Sequence, residues 1–136
     1  MGSQSNKIHE SERSSVFYKV YYEDTDCLGM VYYANYFRFL ERGRTEYLAE
    51  RGYAISSLNE AGIVFVVAKV EADFKASARL GDTIEVLSSL TTPSPFKILF
   101  HQKICLDGKV LVKALTTLAC IEEAGSLRRI PAELRS

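Results

Sequence analysis

The strongest constraint on the fold is the order of hydrophobic patterns along the chain: one strand pattern, one long helical pattern, and then only strand patterns. Ser15 to Tyr22 (SVFYKVYY) are aromatic and β-branched, which predicts a strand. From about Ala34 to Arg51, apolar residues recur at three- and four-residue spacings between charged ones. This spacing predicts a helix with one apolar face, and Gly52 is well placed to end it.

After a short helical turn predicted at 55–60, the sequence favours strands. The run 63–74 (IVFVVAKVEADF) is first continuously apolar and then alternating, so we expect its first half to be buried on both faces. Gly81-Asp82 and the prolines at 93 and 95 predict breaks between strands, and Asp107-Gly108 predicts a two-residue hairpin. This order predicts an α+β fold, an antiparallel sheet packed against one helix.

The length and charge of the chain limit the classes of function that it can have. The 136 residues suit a single domain, residues 15–136, and the polar segment 1–14 is expected to be a flexible tail. Lys plus Arg and Asp plus Glu both number 17, so no overall positive field favours nucleic acid. No apolar run reaches the roughly 18 residues of a membrane span. Three widely spaced cysteines suggest a reducing cytoplasm.

Two aspartates in DTDCLG, just before the helix, are the first candidates for chemistry. Asp24, Asp26 and Gly29 match the first, third and sixth positions of a calcium-binding loop, but Leu28 and Asn35 stand where that loop needs oxygen donors. A magnesium site for a nucleotide sugar would need a longer chain and a parallel α/β pattern. We therefore expect no metal and no cofactor.

A carboxylate is the remaining candidate catalyst. Cys27 lacks a well-placed histidine and is expected to be a small buried thiol, and His101 is expected to be a surface strand residue. An aspartate could attack a carbonyl, or activate water towards it, while free N–H groups at the helix start polarise that carbonyl. The residues alone leave open a second interpretation, in which Asp24 and Asp26 only accept backbone hydrogen bonds in a turn.

The run VYYEDTDCLGMVYYANYFRFLERGRTEYL, residues 20–48, resembles the signature of hotdog-fold acyl-CoA thioesterases. It is most similar to the Tol-Pal-associated thioesterase and 4-hydroxybenzoyl-CoA thioesterase families. FVVAKVEADFKASARLGDTIEV is also similar to them. The resemblance implies a hotdog fold, in which a five-stranded antiparallel sheet wraps around one long central helix. It also implies a homodimer, pairing further into a dimer of dimers, that hydrolyses acyl-CoA to a carboxylic acid and free coenzyme A.

The resemblance implies the site residues as well. Asp26 would be the nucleophile or general base, and the backbone N–H of Tyr33 would be the oxyanion donor. Many Tol-Pal-associated members have a histidine at the position of Tyr33, so histidine-assisted proton transfer is not expected. Coenzyme A is part of the substrate, so no separate cofactor is implied. The residues expected to contact substrate are Tyr22, Gly29, Val31, Tyr32, Asn35, Val66, Val67, Ala68, Lys75 and Arg128, with Val66 to Ala68 supplied by the partner subunit. The chain departs from the 4-hydroxybenzoyl-CoA enzyme at residues 91–95, which lack its basic residues for the coenzyme A phosphates. The substitutes that the sequence offers are Lys75, Lys97, Arg128 and Arg129.

Other interpretations remain at this level. Asn35 is also suited to cap the helix through its side chain. A non-catalytic acyl-CoA-binding or scaffold protein could use the same dimeric fold. An acyl-thioester dehydratase would need a catalytic histidine, and the chain has only His9 and His101. The acyl group is not determined by the sequence.

Overall fold

A computed structural model of the protein describes residues 13–135, so most of the predicted tail, residues 1–14, lies outside the described residues. The strands are β1 (Ser14–Lys19), β2 (Ile63–Phe74), β3 (Thr83–Ser94), β4 (Lys97–Leu106) and β5 (Lys109–Glu122), and the α-helices are α1 (Tyr36–Glu50) and α2 (Ile55–Glu60). Single 3-10 turns lie at Tyr22–Asp24, Tyr33–Asn35 and Ala132–Leu134. None of the helices in this part of the chain is long and apolar enough to cross a membrane.

The five strands form one antiparallel sheet in the order β1-β3-β4-β5-β2. The predicted α+β architecture of five strands and one long helix is confirmed. The Asp107-Gly108 hairpin is also confirmed, and both residues have positive φ, 49° and 81°, as this tight turn requires. The first strand was predicted too long, because the chain leaves β1 after Lys19 and Tyr22 begins a 3-10 turn.

Helix α1 lies against one face of the sheet. Its buried residues are Tyr36, Phe39, Leu40, Gly43, Tyr47 and Leu48. Phe37, although apolar and at the start of α1, is exposed. At Gly43 the helix approaches the sheet so closely that an alanine Cβ would lie 2.6 Å from Val86 Cγ1 and 3.0 Å from the side chains of Ser88 and Gln102. This close contact sets the position of α1 on the sheet and therefore the position of its first residue.

The prediction that the first half of β2 is buried on both faces is wrong. Strand β2 lies at the edge of the sheet and pairs only with β5. Val66, Val67 and Ala68 are exposed, and Val67 keeps 54% of its surface. The pairing register also shifts between Val67 and Lys69, so Ala68 forms an irregularity in the strand. The apolar run therefore produces an exposed hydrophobic edge within this single chain.

Candidate active site

A cavity of about 370 Å³ lies where the DTDCLG loop, the start of α1 and the end of β2 meet. It is lined by Asp26, Met30, Val31, Tyr32, Tyr33, Tyr36, Phe74, Lys75, Ala76 and Ser77. The loop comes from one side and the segment after β2 from the other. Val31 N–H donates to the carbonyl of Ala78 at 2.9 Å, and Leu80 N–H donates to the carbonyl of Gly29 at 2.9 Å. These bonds join the two walls.

The carboxylate of Asp26 is oriented by its own loop. Its Oδ1 accepts hydrogen bonds from the N–H groups of Leu28 at 2.9 Å and Met30 at 3.2 Å. The Asp26 N–H in turn donates to the Met30 carbonyl at 2.8 Å. Gly29 closes this tight loop with φ of +78°, a conformation that favours glycine. One oxygen of Asp26 is therefore held by two donors of its own loop, and the residue lines the cavity.

Asp24 has a different role from Asp26. Its side chain is buried, with 5% of its surface exposed, and its Oδ2 accepts a hydrogen bond from the N–H of Tyr21 at 2.9 Å. Its carbonyl accepts from Asn35 Nδ2 at 2.9 Å and more weakly from the N–H of Tyr32 at 3.4 Å. Asn35 therefore does not cap the helix with its side chain, as the sequence suggested, because that side chain reaches across to the loop. We call this contact the Asn35–Asp24 bridge.

The helical segment begins beside the cavity, which Tyr33 lines. Tyr33 is the first residue of the 3-10 turn that leads into α1. Among residues 13–135, no hydrogen bond is donated by the N–H of Tyr33 or of Ala34, whereas Asn35 N–H donates to the Tyr32 carbonyl at 2.8 Å. Unpaired N–H groups at a helix start carry partial positive charge. The cavity thus combines a carboxylate with donors suited to a developing negative charge.

Aromatic rings form the apolar wall of the cavity. Phe74 lies 5.9 Å from the ring of Tyr33, and 6.0 Å from the rings of both Tyr36 and Phe37, measured between centroids. Tyr32 and Tyr33 are 4.8 Å apart, and the hydrogen bond between their hydroxyls raises the pKa of Tyr32. The Tyr36 hydroxyl accepts from the N–H of Ala78 at 2.9 Å, and burial raises the pKa of this phenol. Tyr36 therefore stays protonated and structural.

Of the predicted contact residues, the cavity brings together Asp26, Tyr33, Val31, Tyr32 and Lys75. Gly29 and Asn35 support it through their loop contacts. Tyr22, Val66, Val67, Ala68 and Arg128 do not line this cavity in the single chain.

Four lining residues do not follow from the sequence, namely Met30, Phe74, Ala76 and Ser77. In the sequence, Phe74 belongs only to a strand pattern. Nothing local indicates that residues 74–77 return to residues 26–36.

Cys27 differs from expectation, since it is exposed rather than buried. The guanidinium of Arg44 donates to Gln102 Oε1 at 3.2 Å, and burial lowers its pKa. His101 is half-buried on its strand, and its pKa is lowered by burial and then by the charge of Lys113.

No cluster of three or more His, Cys, Asp or Glu side chains in the described part of the chain is placed to hold a metal ion.

Comparison with known proteins places this geometry in a family. The model of the thioesterase-like superfamily matches residues 20–136. The acyl-CoA thioesterase YbgC of Haemophilus influenzae is 37% identical over 105 residues, which are 76% of this chain and 77% of that protein.

Solved structures agree with this placement. A probable thioesterase from Bartonella henselae has a TM-score of 0.82 and 31% identity, covering 88% of this chain and 99% of that one. The 4-hydroxybenzoyl CoA thioesterase from Pseudomonas sp. strain CBS-3 has a TM-score of 0.81 and 18% identity, covering 90% of this chain and 96% of that one. At this level of identity the likeness shows a shared fold only.

Proposed function

The chain belongs to the thioesterase-like superfamily and is a thioester hydrolase, and from that premise we propose that it hydrolyses acyl-CoA with Asp26 as the reacting carboxylate and the Tyr33 N–H as the oxyanion donor. The observation that carries this proposal is the shared cavity, which both residues line. The hydrogen bonds on Oδ1 of Asp26 further support it, because they leave Oδ2 for the reaction.

Two routes of hydrolysis fit this arrangement. In the nucleophilic route, Asp26 Oδ2 bonds to the thioester carbon, the carbon–sulfur bond breaks, the coenzyme A thiolate leaves, and water then hydrolyses the aspartyl anhydride. In the general-base route, Asp26 removes a proton from water as that water attacks the carbon, the carbon–sulfur bond then breaks, and the departing thiolate takes up the proton. Label found in Asp26 after a single turnover in ¹⁸O-water would identify the nucleophilic route. The general-base route places the label only in the acid product, whereas the nucleophilic route with attack of water at the aspartyl carbon places it in Asp26.

Replacing the Asp26 carboxylate tests its role. Asp26→Asn should reduce thiol release from a responsive acyl-CoA by several orders of magnitude, in line with the large losses seen for essential groups elsewhere. Glu23→Gln is the matched control, since Glu23 is an exposed carboxylate three residues away that does not line the cavity. Full activity in Asp26→Asn, with the same secondary structure by circular dichroism, would exclude Asp26 as the catalyst.

The oxyanion donor can be removed without removing the helix. Tyr33 occupies the first position of its helical turn, where proline is tolerated, and the preceding Tyr32 has ψ of 135°, which a following proline accepts. Tyr33→Pro should therefore lose about a hundred- to a thousandfold in kcat, the usual worth of one such donor. Tyr33→Phe keeps the N–H and should keep most of the activity. Equal losses in both variants would point to the phenol instead of the backbone.

We further propose that the active unit is a homodimer formed through the edge of β2, with pairs of dimers assembling further. Support comes from the exposed strand edge and from the exposed apolar side chains of Val66, Val67 and Val70. In such a dimer Val66 to Ala68 of one subunit would line the acyl channel of the other. Val67→Glu should convert the dimer to monomer in analytical ultracentrifugation and lower activity. A monomeric wild-type protein with full activity would contradict this.

Lys75 is the cavity residue proposed to bind the phosphates of coenzyme A, because a cation is needed locally in a chain without net positive charge. Arg128, exposed and outside the cavity, is proposed to assist it. Lys75→Ala should raise KM for acyl-CoA with little change in kcat. The acyl-pantetheine substrate, which lacks the nucleotide phosphates, should show no such difference between wild type and variant.

A further inference from the structure

A second cavity lies on the other face of the sheet from α1. It has a volume of about 280 Å³ and is lined by Arg13, Leu87, Ser88, Ser89, His101, Gln102, Lys103, Lys113 and Ala114. Val86, Ser88 and Gln102 contact the helix, so the alternate residues on β3 and β4, including Leu87, Ser89, His101 and Lys103, point to the opposite face. We call this cavity the outer groove. It is separated from Asp26 by the sheet.

The charges of the outer groove are not balanced. Lys103 on β4 is directly opposite Lys113 on β5 in the strand register. Like charges at directly opposed positions destabilise a sheet. Across residues 13–135 neither lysine forms an ion pair, although Asp73 is opposite Lys113 on its other side. The nearby Glu85 carboxylate accepts a hydrogen bond from the Ser15 hydroxyl.

The other polar groups of the outer groove are also suited to donate. Ser89 lines the groove and is directly opposite His101 in the strand register. Its hydroxyl can donate a hydrogen bond to a ligand in the groove. His101 Nε2 lies 3.1 Å from the Thr91 hydroxyl, which fixes the ring at the groove. Two ammonium groups, a hydroxyl and an imidazole therefore converge on one small space.

From this arrangement we infer that the outer groove is a binding site for a compact phosphate-class anion, with Lys103 and Lys113 as its charged ligands and Ser89 as a hydroxyl donor. Charge-assisted hydrogen bonds to an anion are stronger than neutral ones and would offset the repulsion between the two lysines. The apolar side chain of Leu87 limits the space beside these donors. This function is additional to thioester hydrolysis and uses none of the residues assigned to it.

The test measures binding of inorganic phosphate to the full-length protein at neutral pH by isothermal titration calorimetry, at constant ionic strength set with sodium chloride. Wild type should bind phosphate saturably. The variant Lys103→Ala/Lys113→Ala should lose at least about tenfold in affinity, since each lysine contributes a charge-assisted bond. The matched control is Lys19→Ala/Lys109→Ala, which removes two exposed lysines of the same sheet that do not line the groove. This control should bind as wild type does.

Two further arms make the outcome decisive. Adenosine 3′,5′-bisphosphate, the nucleotide end of coenzyme A, is titrated in the same way. Tighter binding of the bisphosphate than of phosphate, lost in Lys103→Ala/Lys113→Ala, would favour a nucleotide as the ligand, and weaker binding would favour a free anion. Thiol release by Lys103→Ala/Lys113→Ala in phosphate-free buffer should equal that of wild type, which also shows that the variant is folded. Absence of saturable phosphate binding to wild type, or an equal loss in the two double variants, would overturn the inference.

Discussion

At Gly43, where α1 closely approaches the sheet, replacing glycine with alanine has two opposing effects on stability. Alanine is favoured over glycine inside a helix by about 1 kcal/mol. At position 43, however, the added Cβ would lie 2.6 Å from Val86 Cγ1, and Val86 is completely buried in the core. Its two other neighbours at 3.0 Å, Ser88 and Gln102, are bonded to each other, and Gln102 is bonded to the Leu40 carbonyl at 2.8 Å. None of the three is free to move away.

These contacts set the expected size of the change in stability. Overpacking of a core typically costs about 1–3 kcal/mol, and the gain in helix propensity returns about 1 kcal/mol of it. We expect Gly43→Ala to lower the free energy of unfolding by about 1–2 kcal/mol, since the nearest contact is with an immobile side chain. For a domain of this size that corresponds to a fall in Tm of roughly 3–8 °C. Urea and thermal denaturation followed by circular dichroism measure both quantities.

A double-mutant cycle with Val86→Ala separates the steric cause from other effects. Val86→Ala removes the atom that the new Cβ would meet, so in that background Gly43→Ala should be neutral or stabilising. The coupling energy between the two positions should be about 1–3 kcal/mol. If Gly43→Ala stabilises the wild type, or costs the same in both backgrounds, the steric explanation is refuted.

Two other predictions concern the site loop and the outer groove. Asn35→Ala removes the Asn35–Asp24 bridge and should lower the free energy of unfolding by about 1 kcal/mol. In assays of thiol release it should lower kcat more than it raises KM. An unchanged kcat would show that the bridge does not position Asp26. The lowered pKa of His101 means that the unfolded chain binds more protons below about pH 6.5. Stability should therefore fall as pH drops below that value, and His101→Gln should flatten the fall in urea midpoints between neutral and mildly acidic pH; parallel curves for the two proteins would contradict it.

Local patterns were sufficient for the elements themselves. The helix-to-strand order, the turn at Asp107-Gly108 and the bounds of α2 all follow from residues close together in sequence, because turn and helix signals act over a few positions. The main errors have a different origin. The continuously apolar first half of β2 predicts a buried strand. Burial, however, depends on how many strands lie beside it, and β2 pairs with β5 alone.

The candidate site shows the same limit. The DTDCLG loop and the resemblance identified Asp26 and Tyr33, but the remaining wall comes from Phe74 to Ser77, about forty residues later, brought back by the sheet. The sequence favours Asn35 as a helix cap, but its side chain forms a different hydrogen bond. Its capping role was inferred from local preference, whereas the actual acceptor, the Asp24 carbonyl, lies eleven residues away.

Phe74 links the proposed association to the proposed catalysis. It is the last residue of β2, it lines the cavity beside Tyr33, and 44% of its surface is exposed. A contact that extends along the edge of β2 as far as Phe74 would therefore also cover one wall of the cavity. This predicts that dilution below the dissociation constant of the dimer lowers specific activity, and that Val67→Glu shifts this concentration dependence. A catalytic lesion such as Asp26→Asn would lower activity equally at every protein concentration, so the two causes of an inactive protein can be told apart.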